Sequence, residues 1–400
     1  MIMLIEEMQK RLQITRRFRY ARGYSWLFAR YIRLWSPGNL LYRVMFALLI
    51  KRKLKINWEE SSPNSLIEAK SDLIYYEPLR EFQSKQLALA LPFTAKRSNF
   101  LMEGEMLFAY NNSLLDIGVE ALKFDSEENP GNLSQRRTEV LHELLNNRIE
   151  VLILQGDSKL NYSRVFNEEF IQDIRKRNIA VIIDLVDCFV TRNGQQTLDF
   201  FYDKADFIIY HNSRLKIEKK FSNKSLIWPS LPYPESFYLR HHSKERFGLL
   251  VPGSSHRGRK FYVDRAKKQC LNFSDSLYSK SDLSAATYSY ETYVKSLCQS
   301  SLVFTNGYKN YRESQVIGRV TEVMLAKSTL LYESGSDINF FFSEYKDYVP
   351  VANLPDFIYK ANYLLSHPNE AEKIASNALT TMLEKYPTVK FWSKVLSSVS

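Results

Sequence analysis

Short apolar runs alternate with amphipathic stretches from Ser98 to the end of the chain. The runs VLIL from Val151, AVIIDL from Ala180 and FIIY from Phe207 are apolar nearly throughout, as strands covered on both faces by helices must be. The pattern predicts strands at Phe100–Met102, Val119–Phe124, Glu150–Leu154, Ala180–Leu185, Phe207–Tyr210 and Ser225–Trp228. Helices at Glu103–Asp116, Arg136–Leu145, Asn167–Arg177, Gln195–Tyr202 and Arg214–Phe221 fall between them. Strands that alternate with helices mean a parallel sheet with right-handed crossovers. The segment PSLPYPES, 229–236, carries three prolines and reads as a stiff connection between domains. A second α/β set follows, with strands at Phe247–Val251, Leu302–Thr305, Thr329–Tyr332 and Asp347–Val351. Its helices are Phe261–Gln269, Glu291–Gln299, one opening at Gly318, Pro355–Leu365, Pro368–Lys385 and Val389–Val399. Residues 61–96 give no clear pattern beyond a linker-like SSPNS and a candidate edge strand at Asp72–Tyr76.

The stretch 302–334, LVFTNGYKNYRESQVIGRVTEVMLAKSTLLYES, is a strand, a polar loop, a helix and a strand. That βαβ order puts the loop at the carboxyl edge of a parallel sheet, where open α/β sheets bind ligands. Arg319 stands in the first helical turn, which favours anions through its free N–H groups and dipole. Glu322 lies one turn on, where a carboxylate accepts hydrogen bonds from sugar hydroxyls. An ordinary surface ion pair between the two is the competing structural explanation. The loop Pro252–Lys260, PGSSHRGRK, follows the first strand of the second set. Gly253 permits close backbone approach, Ser254 and Ser255 offer hydroxyls, and Arg257, Arg259 and Lys260 add positive charge. Asn306 and Gly307 end the strand at 302 and face the same crevice, with Tyr308 beside them.

GRVTEVMLAKSTLLYE resembles the G-R-x-x-E helix and following strand of group-one glycosyltransferases, in particular the CgeB-like (spore-coat maturation protein-like) branch. SLIWPSLPYPESFY resembles that family's hinge, and the likeness spans about 97–390. It implies the GT-B fold: α/β, two Rossmann-like domains facing a cleft, the sugar nucleotide held mainly by the C-terminal one. It further implies that Gly253, Ser254, Arg257, Lys260, Asn306, Gly307, Arg319 and Glu322 bind the donor, the basic loop lying against its diphosphate. Such enzymes stabilise the departing diphosphate with side chains and a helix dipole; a metal site and a resident cofactor are not expected, the nucleotide-sugar being a co-substrate. Related retaining enzymes carry a further Glu eight residues before the second. Here that position is Ser314, with Glu313 adjacent, which leaves the stereochemical course open. On the acceptor side, Asp184 and Asp187 end an apolar strand at the carboxyl edge of the first domain, and either suits a general base whose pKa burial raises. A carboxylate capping the next helix is the competing explanation. His211, ending the strand at 207, is a second candidate base and His256 a third; His241 and His242 read as solvated.

Totals refine this picture. Four hundred residues suit two domains beyond any extension, here 61–235 and 236–400. The three cysteines, Cys188, Cys270 and Cys298, have neither metal-knuckle nor redox spacing, as in a reducing compartment. Of the net charge of +11, residues 1–55 supply all: thirteen Lys/Arg against two acids, while the remaining 345 residues hold 42 of each sign. Residues 1–60 read as a basic amphipathic helical extension, broken at Gly23 and at Ser36-Pro37-Gly38, with Trp and Tyr on its apolar arc. That composition fits an anionic membrane surface; packing on the protein's own body is the alternative, and nucleic acid is not expected as a partner. The longest apolar run there, Val44–Ile50, has seven residues, where a span needs about twenty. The expectation is a cytoplasmic hexosyltransferase-type enzyme, peripheral on the inner membrane face, that moves a sugar to a glycan or lipid-linked acceptor. A catalytically inactive GT-B scaffold and a nucleotide-sugar epimerase are the rivals.

Overall fold

The computed structural model describes residues 89–93, 102–125, 132–156, 165–185, 203–211, 224–254, 259–269, 273–278, 290–307, 316–333 and 337–399. All belong to the second of two units, Asn57–Ser400. The basic extension, the candidate strand Asp72–Tyr76 and the helices at Gln195–Tyr202 and Arg214–Phe221 lie outside the described residues.

Strands β1 (Leu89–Phe93), β2 (Ala121–Asp125), β3 (Val151–Gly156), β4 (Ala180–Leu185), β5 (Phe207–Tyr210) and β6 (Ser225–Ile227) form one sheet in the order β2-β1-β3-β4-β5-β6. Every described pairing in it is parallel. Helices α1 (Met102–Asp116), α2 (Leu133–Asn146) and α3 (Glu168–Lys176) cross between strands. The expected strand Phe100–Met102 is a correction: Met102 opens α1, and the strand is Leu89–Phe93, inside the segment that gave no pattern. Local chemistry sets the helix ends. The Asn132 side chain accepts from the N–H groups of Ser134 and Gln135, and that of Asn167 from Phe170, satisfying first-turn donors. Arg175 grips Asp206 with two nitrogens while Asp206 also accepts from Val181 N, pinning α3 to the start of β4; a bidentate pair fixes direction as well as distance.

The connector runs from Trp228 through the short helix α4 (Glu235–Leu239). A second parallel sheet follows in the order β11-β10-β9-β7-β8. It is built from β7 (Leu249–Ser254), β8 (Phe273–Tyr278), β9 (Leu302–Thr305), β10 (Thr329–Glu333) and β11 (Val349–Val351). Helices α5 (Arg259–Gln269), α6 (Tyr290–Cys298), α7 (Gly318–Leu325), α8 (Leu354–Ser366) and α9 (Pro368–Lys385) cover it. Strand β8, FSDSLY, was not foreseen; its two serines and an aspartate are poor strand formers, and it pairs at the sheet's edge.

The last helix, α10 (Thr388–Ser397), returns to the first sheet. Phe391, Trp392, Val395 and Leu396 pack with Tyr110, Leu114, Val151, Ile153 and Ile182, while the alternate residues Leu152 and Leu154 face a separate core with Val140, Leu144 and Ile174. The indole N–H of Trp392 donates to Ser113 Oγ at 2.9 Å. Burying each such large side chain contributes about 1.5–3 kcal/mol. The second sheet's main core joins Val303, Leu330 and Tyr332 to α6, α7 and α9, and also takes in Tyr233, Phe237 and Tyr238 of the connector. Among the described residues no helix is long and apolar enough to cross a membrane.

Candidate active site

Three strand ends meet at the carboxyl edge of the second sheet. Gly253 closes β7 with φ of 102°, a left-handed value that a Cβ would oppose. Leu249 and Leu250 pair with Leu302 and Val303, and Tyr332 pairs with Thr305. Continued past their last pairs, these registers align Gly253, Asn306 and Glu333 across the edge. Asn306 and Gly307 are buried, as is Glu333, whose Oε1 accepts from Tyr262 on α5 at 3.0 Å. Helix α7 begins at Gly318 just beyond that edge; Ile317 gives it no side-chain cap, and the Val320 N–H bonds back to the Ile317 carbonyl at 2.9 Å, while the helix dipole still favours an anion at this end. Arg319, in that turn, is half-buried.

Glu322 is 1% exposed and sits among three phenols. Its Oε1 accepts from Tyr290 at 2.6 Å and from Tyr238 at 3.0 Å, and its Oε2 accepts from Tyr293 at 3.0 Å. The surface ion pair is therefore excluded as its role: this carboxylate is desolvated and bonded. Tyr238 belongs to the connector, and burial pushes its hydroxyl pKa well up, with the Glu322 charge adding to the effect. Tyr290 and Tyr293 stand three apart on α6, one face of one helix.

The connector helix α4 is fastened on every side. Glu235 accepts from the Thr388 N–H at 2.6 Å and from its hydroxyl, capping α10 from a distant part of the chain. Burial raises the Glu235 pKa to about 7 against the opposing pull of Thr388. Ser236 donates to Asp116 at the end of α1 at 2.7 Å, and burial raises the pKa of that carboxyl. Phe237 meets Phe108 of α1 edge-on at 4.8 Å.

On the first sheet, the structure brings two of the candidate bases together. Asp184 ends β4 and His211 follows β5, both buried, with His211 Nε2 2.8 Å from Asp184 Oδ1. His211 Nδ1 lies 2.9 Å from the Trp228 carbonyl, which only accepts, so Nδ1 carries a proton. Both ring nitrogens are thereby engaged. The free lone pairs of this pair sit on Asp184 Oδ2, which is buried without a hydrogen-bond partner. Burying such an oxygen unpaired costs about 1–3 kcal/mol or more for a charged group. Asp187, Arg257, His256, Tyr308, Glu313 and Ser314 lie outside the described residues, and Ser254 and Lys260 are described in backbone only.

His242 corrects the expectation of a solvated pair. Its Nε2 lies 2.7 Å from the Leu325 carbonyl, and burial lowers its pKa to about 4. The neighbouring Arg246 bonds the Lys327 carbonyl and Glu372, so this segment ties the start of β7 to the far end of α7. Pattern reading also missed the three tyrosines, Glu235 and Glu333. The Tyr290-x-x-Tyr293 spacing was a usable signal; a connector tyrosine carried none.

Two parallel-sheet Rossmann-like domains joined by a proline-rich connector, with the last helix returning to the first, make the GT-B fold. Residues 261–396 match the family described as glycosyl transferase-like. Among solved structures, the Anabaena protein Alr3699/HepE in complex with UDP and glucose superposes with a TM-score of 0.52 at 10% identity, over 78% of this chain and 99% of that one. A glycosyltransferase from Rickettsia africae ESF-5 superposes with a TM-score of 0.50 at 11% identity, over 79% and 98%. No curated protein matched the sequence.

Proposed function

We propose that the protein transfers a hexose from a nucleoside-diphosphate sugar to an acceptor hydroxyl. The observation that carries this reading is the second sheet's carboxyl edge, which carries Gly253, Asn306 and Gly307 and from which the chain goes on to the start of α7, with Arg319 in its first turn and buried Glu322 one turn further. The diphosphate lies against the α7 N–H groups, Arg319 and the Gly253 loop with Arg257 and Lys260; the ribose lies at Glu322. Cleavage of the bond between sugar C1 and the β-phosphate oxygen leaves the electron pair on the diphosphate. Cations and a helix dipole stabilise that charge as it builds, the work a metal ion performs in other transferases. The acceptor oxygen forms the new bond to C1 and releases its proton to a carboxylate, for which Asp184 Oδ2 is the described candidate, held by His211. The Anabaena relative's complex with UDP and glucose favours a uridine nucleotide as the first donor to test. The CgeB-like assignment, a glycan or lipid-linked acceptor and docking of residues 1–55 on the inner face of an anionic membrane complete the reading.

One observation favours a second reading, a GT-B module without turnover: the Glu322 carboxylate already accepts from three phenols. A thermal-shift panel of nucleotide sugars on the whole protein separates the two. A ligand at 100 times its Kd stabilises by about 2.7 kcal/mol, and Glu322→Ala should abolish the shift. A wild-type protein indifferent to every nucleotide sugar refutes the enzyme reading.

A further inference from the structure

Among the described residues, buried threonines bond their hydroxyls. Thr321 donates to the Gly318 carbonyl at 2.9 Å, Thr329 to the Ala371 carbonyl at 2.6 Å and Thr381 to Asp347 at 2.8 Å, and Thr388 bonds Glu235. Thr305 is the exception: it is 0% exposed, and its Oγ1 has no hydrogen-bond partner. Leaving a buried hydroxyl unpaired is costly, so such groups nearly always find a partner in the chain, in water or in a ligand.

The position of Thr305 says which. Phe304, one residue earlier, turns to α5, where its ring stacks on Tyr262 with centres 4.6 Å apart. Successive strand residues face opposite ways, so Thr305 faces the other layer. Val303 faces that layer too, in one core with Val316, Val320 and Val323. Thr305 is the next residue on the same face and the last of β9, paired with Tyr332. Its side chain therefore stands at the carboxyl edge, on the α7 side of the sheet, toward the first turn of that helix. Valine is the residue this face uses around it, and a valine would fill the same space. The hydroxyl is what packing does not explain.

We propose that the Thr305 hydroxyl donates to a phosphate oxygen of the bound nucleotide. This rests on the donor reading above and adds to it a residue on the floor of the diphosphate site. A hydroxyl bonded to an anionic oxygen in a dry site makes a short, strong contact. Oγ1 gives up no protein partner to make it. The branched side chain, packed where a valine would sit, holds few rotamers, so little freedom is lost on binding. The unpaired group weighs on the empty protein and is satisfied only when phosphate arrives, a trade of stability for function.

That trade gives the test. Titration calorimetry on the full chain measures UDP, GDP, ADP and CDP, and competition against the tightest measures its nucleoside. Thr305→Val should unfold at the wild-type temperature or above in the absence of nucleotide, since it removes an unsatisfied hydroxyl. It should bind the diphosphate about tenfold more weakly, the worth of one hydrogen bond to a charged group, and bind the nucleoside within twofold of wild type. Thr305→Ser, which keeps the hydroxyl, should bind the diphosphate within about twofold of wild type. A Thr305→Val protein with wild-type affinity for the diphosphate overturns the proposal, as it would if the hydroxyl were satisfied by an internal water only. Equal losses for diphosphate and nucleoside also overturn it, because the hydroxyl would then act through the fold and not on phosphate. If Thr305→Val does not fold, Thr305→Ala is set against Thr305→Ser, which differs from it by the hydroxyl alone, and equal diphosphate affinities overturn the proposal. A wild type that binds none of the four diphosphates overturns the donor reading and the proposal with it, whereas failure in the variants alone leaves the donor reading standing.

Discussion

Glu235 is the carboxylate whose charge should govern how firmly the connector holds. It is 1% exposed, and its pKa is raised from 4.5 to about 7, first by burial and then by the Asp116 charge, against two hydrogen bonds from Thr388. A carboxyl with a raised folded-state pKa binds its proton more tightly folded than unfolded. Stability from this group is therefore complete below about pH 4.5 and falls as pH rises to about 7. The gap corresponds to about 3 kcal/mol at roughly 1.4 kcal/mol per pH unit. Glu235→Gln keeps the shape and an oxygen for the Thr388 N–H while removing the charge. The difference in urea midpoint between this variant and wild type, followed from pH 4.5 to 8.5, isolates the group from every other titration. It should be near zero at the acid end, then grow in favour of the variant through pH 5 to 7 and level off. A difference that does not change with pH refutes the reasoning, because it would mean the buried carboxyl is neutral, or ionised, in both states throughout.

Two further expectations follow from the site and the sequence. Asp184→Asn should cut transfer to the acceptor by about 10²- to 10⁴-fold, the range for general-base loss, while the Kd for the donor nucleotide stays within twofold; unchanged turnover removes Asp184 from the acceptor side. Deleting residues 1–55 should abolish sedimentation with vesicles containing anionic lipid, since each basic residue there contributes about 1 kcal/mol; equal sedimentation with the deletion refutes membrane docking through this segment.

Periodicity exposed most of this architecture because parallel strands buried on both faces leave long apolar words. AVIIDL, FIIY and LVFT coincide with β4, β5 and β9 to the residue. Where burial is one-sided or chemistry polar, the words fade: β8 reads FSDSLY, and β1 was sought at Phe100 instead of Leu89. The candidate site divided in the same way. Arg319 and Glu322 were legible because a helix start fixes their places. The company Glu322 keeps was not, since Tyr238 and Glu322 are 84 residues apart and meet only through folding. His211 and Asp184 were separate candidates for one task; adjacent parallel strands made them one unit, 27 residues apart in sequence.

The return of α10 fixes an order of events at birth. One wall of the N-terminal sheet is supplied by Phe391, Trp392, Val395 and Leu396, residues made only after every strand of the second sheet. Until then Tyr110, Leu114 and Ile153 lack that lid, however early they were synthesised. The N-terminal half is therefore obliged to wait in an unfinished state until α10 has been made, and a nascent chain halted at the connector should be the one that chaperones hold.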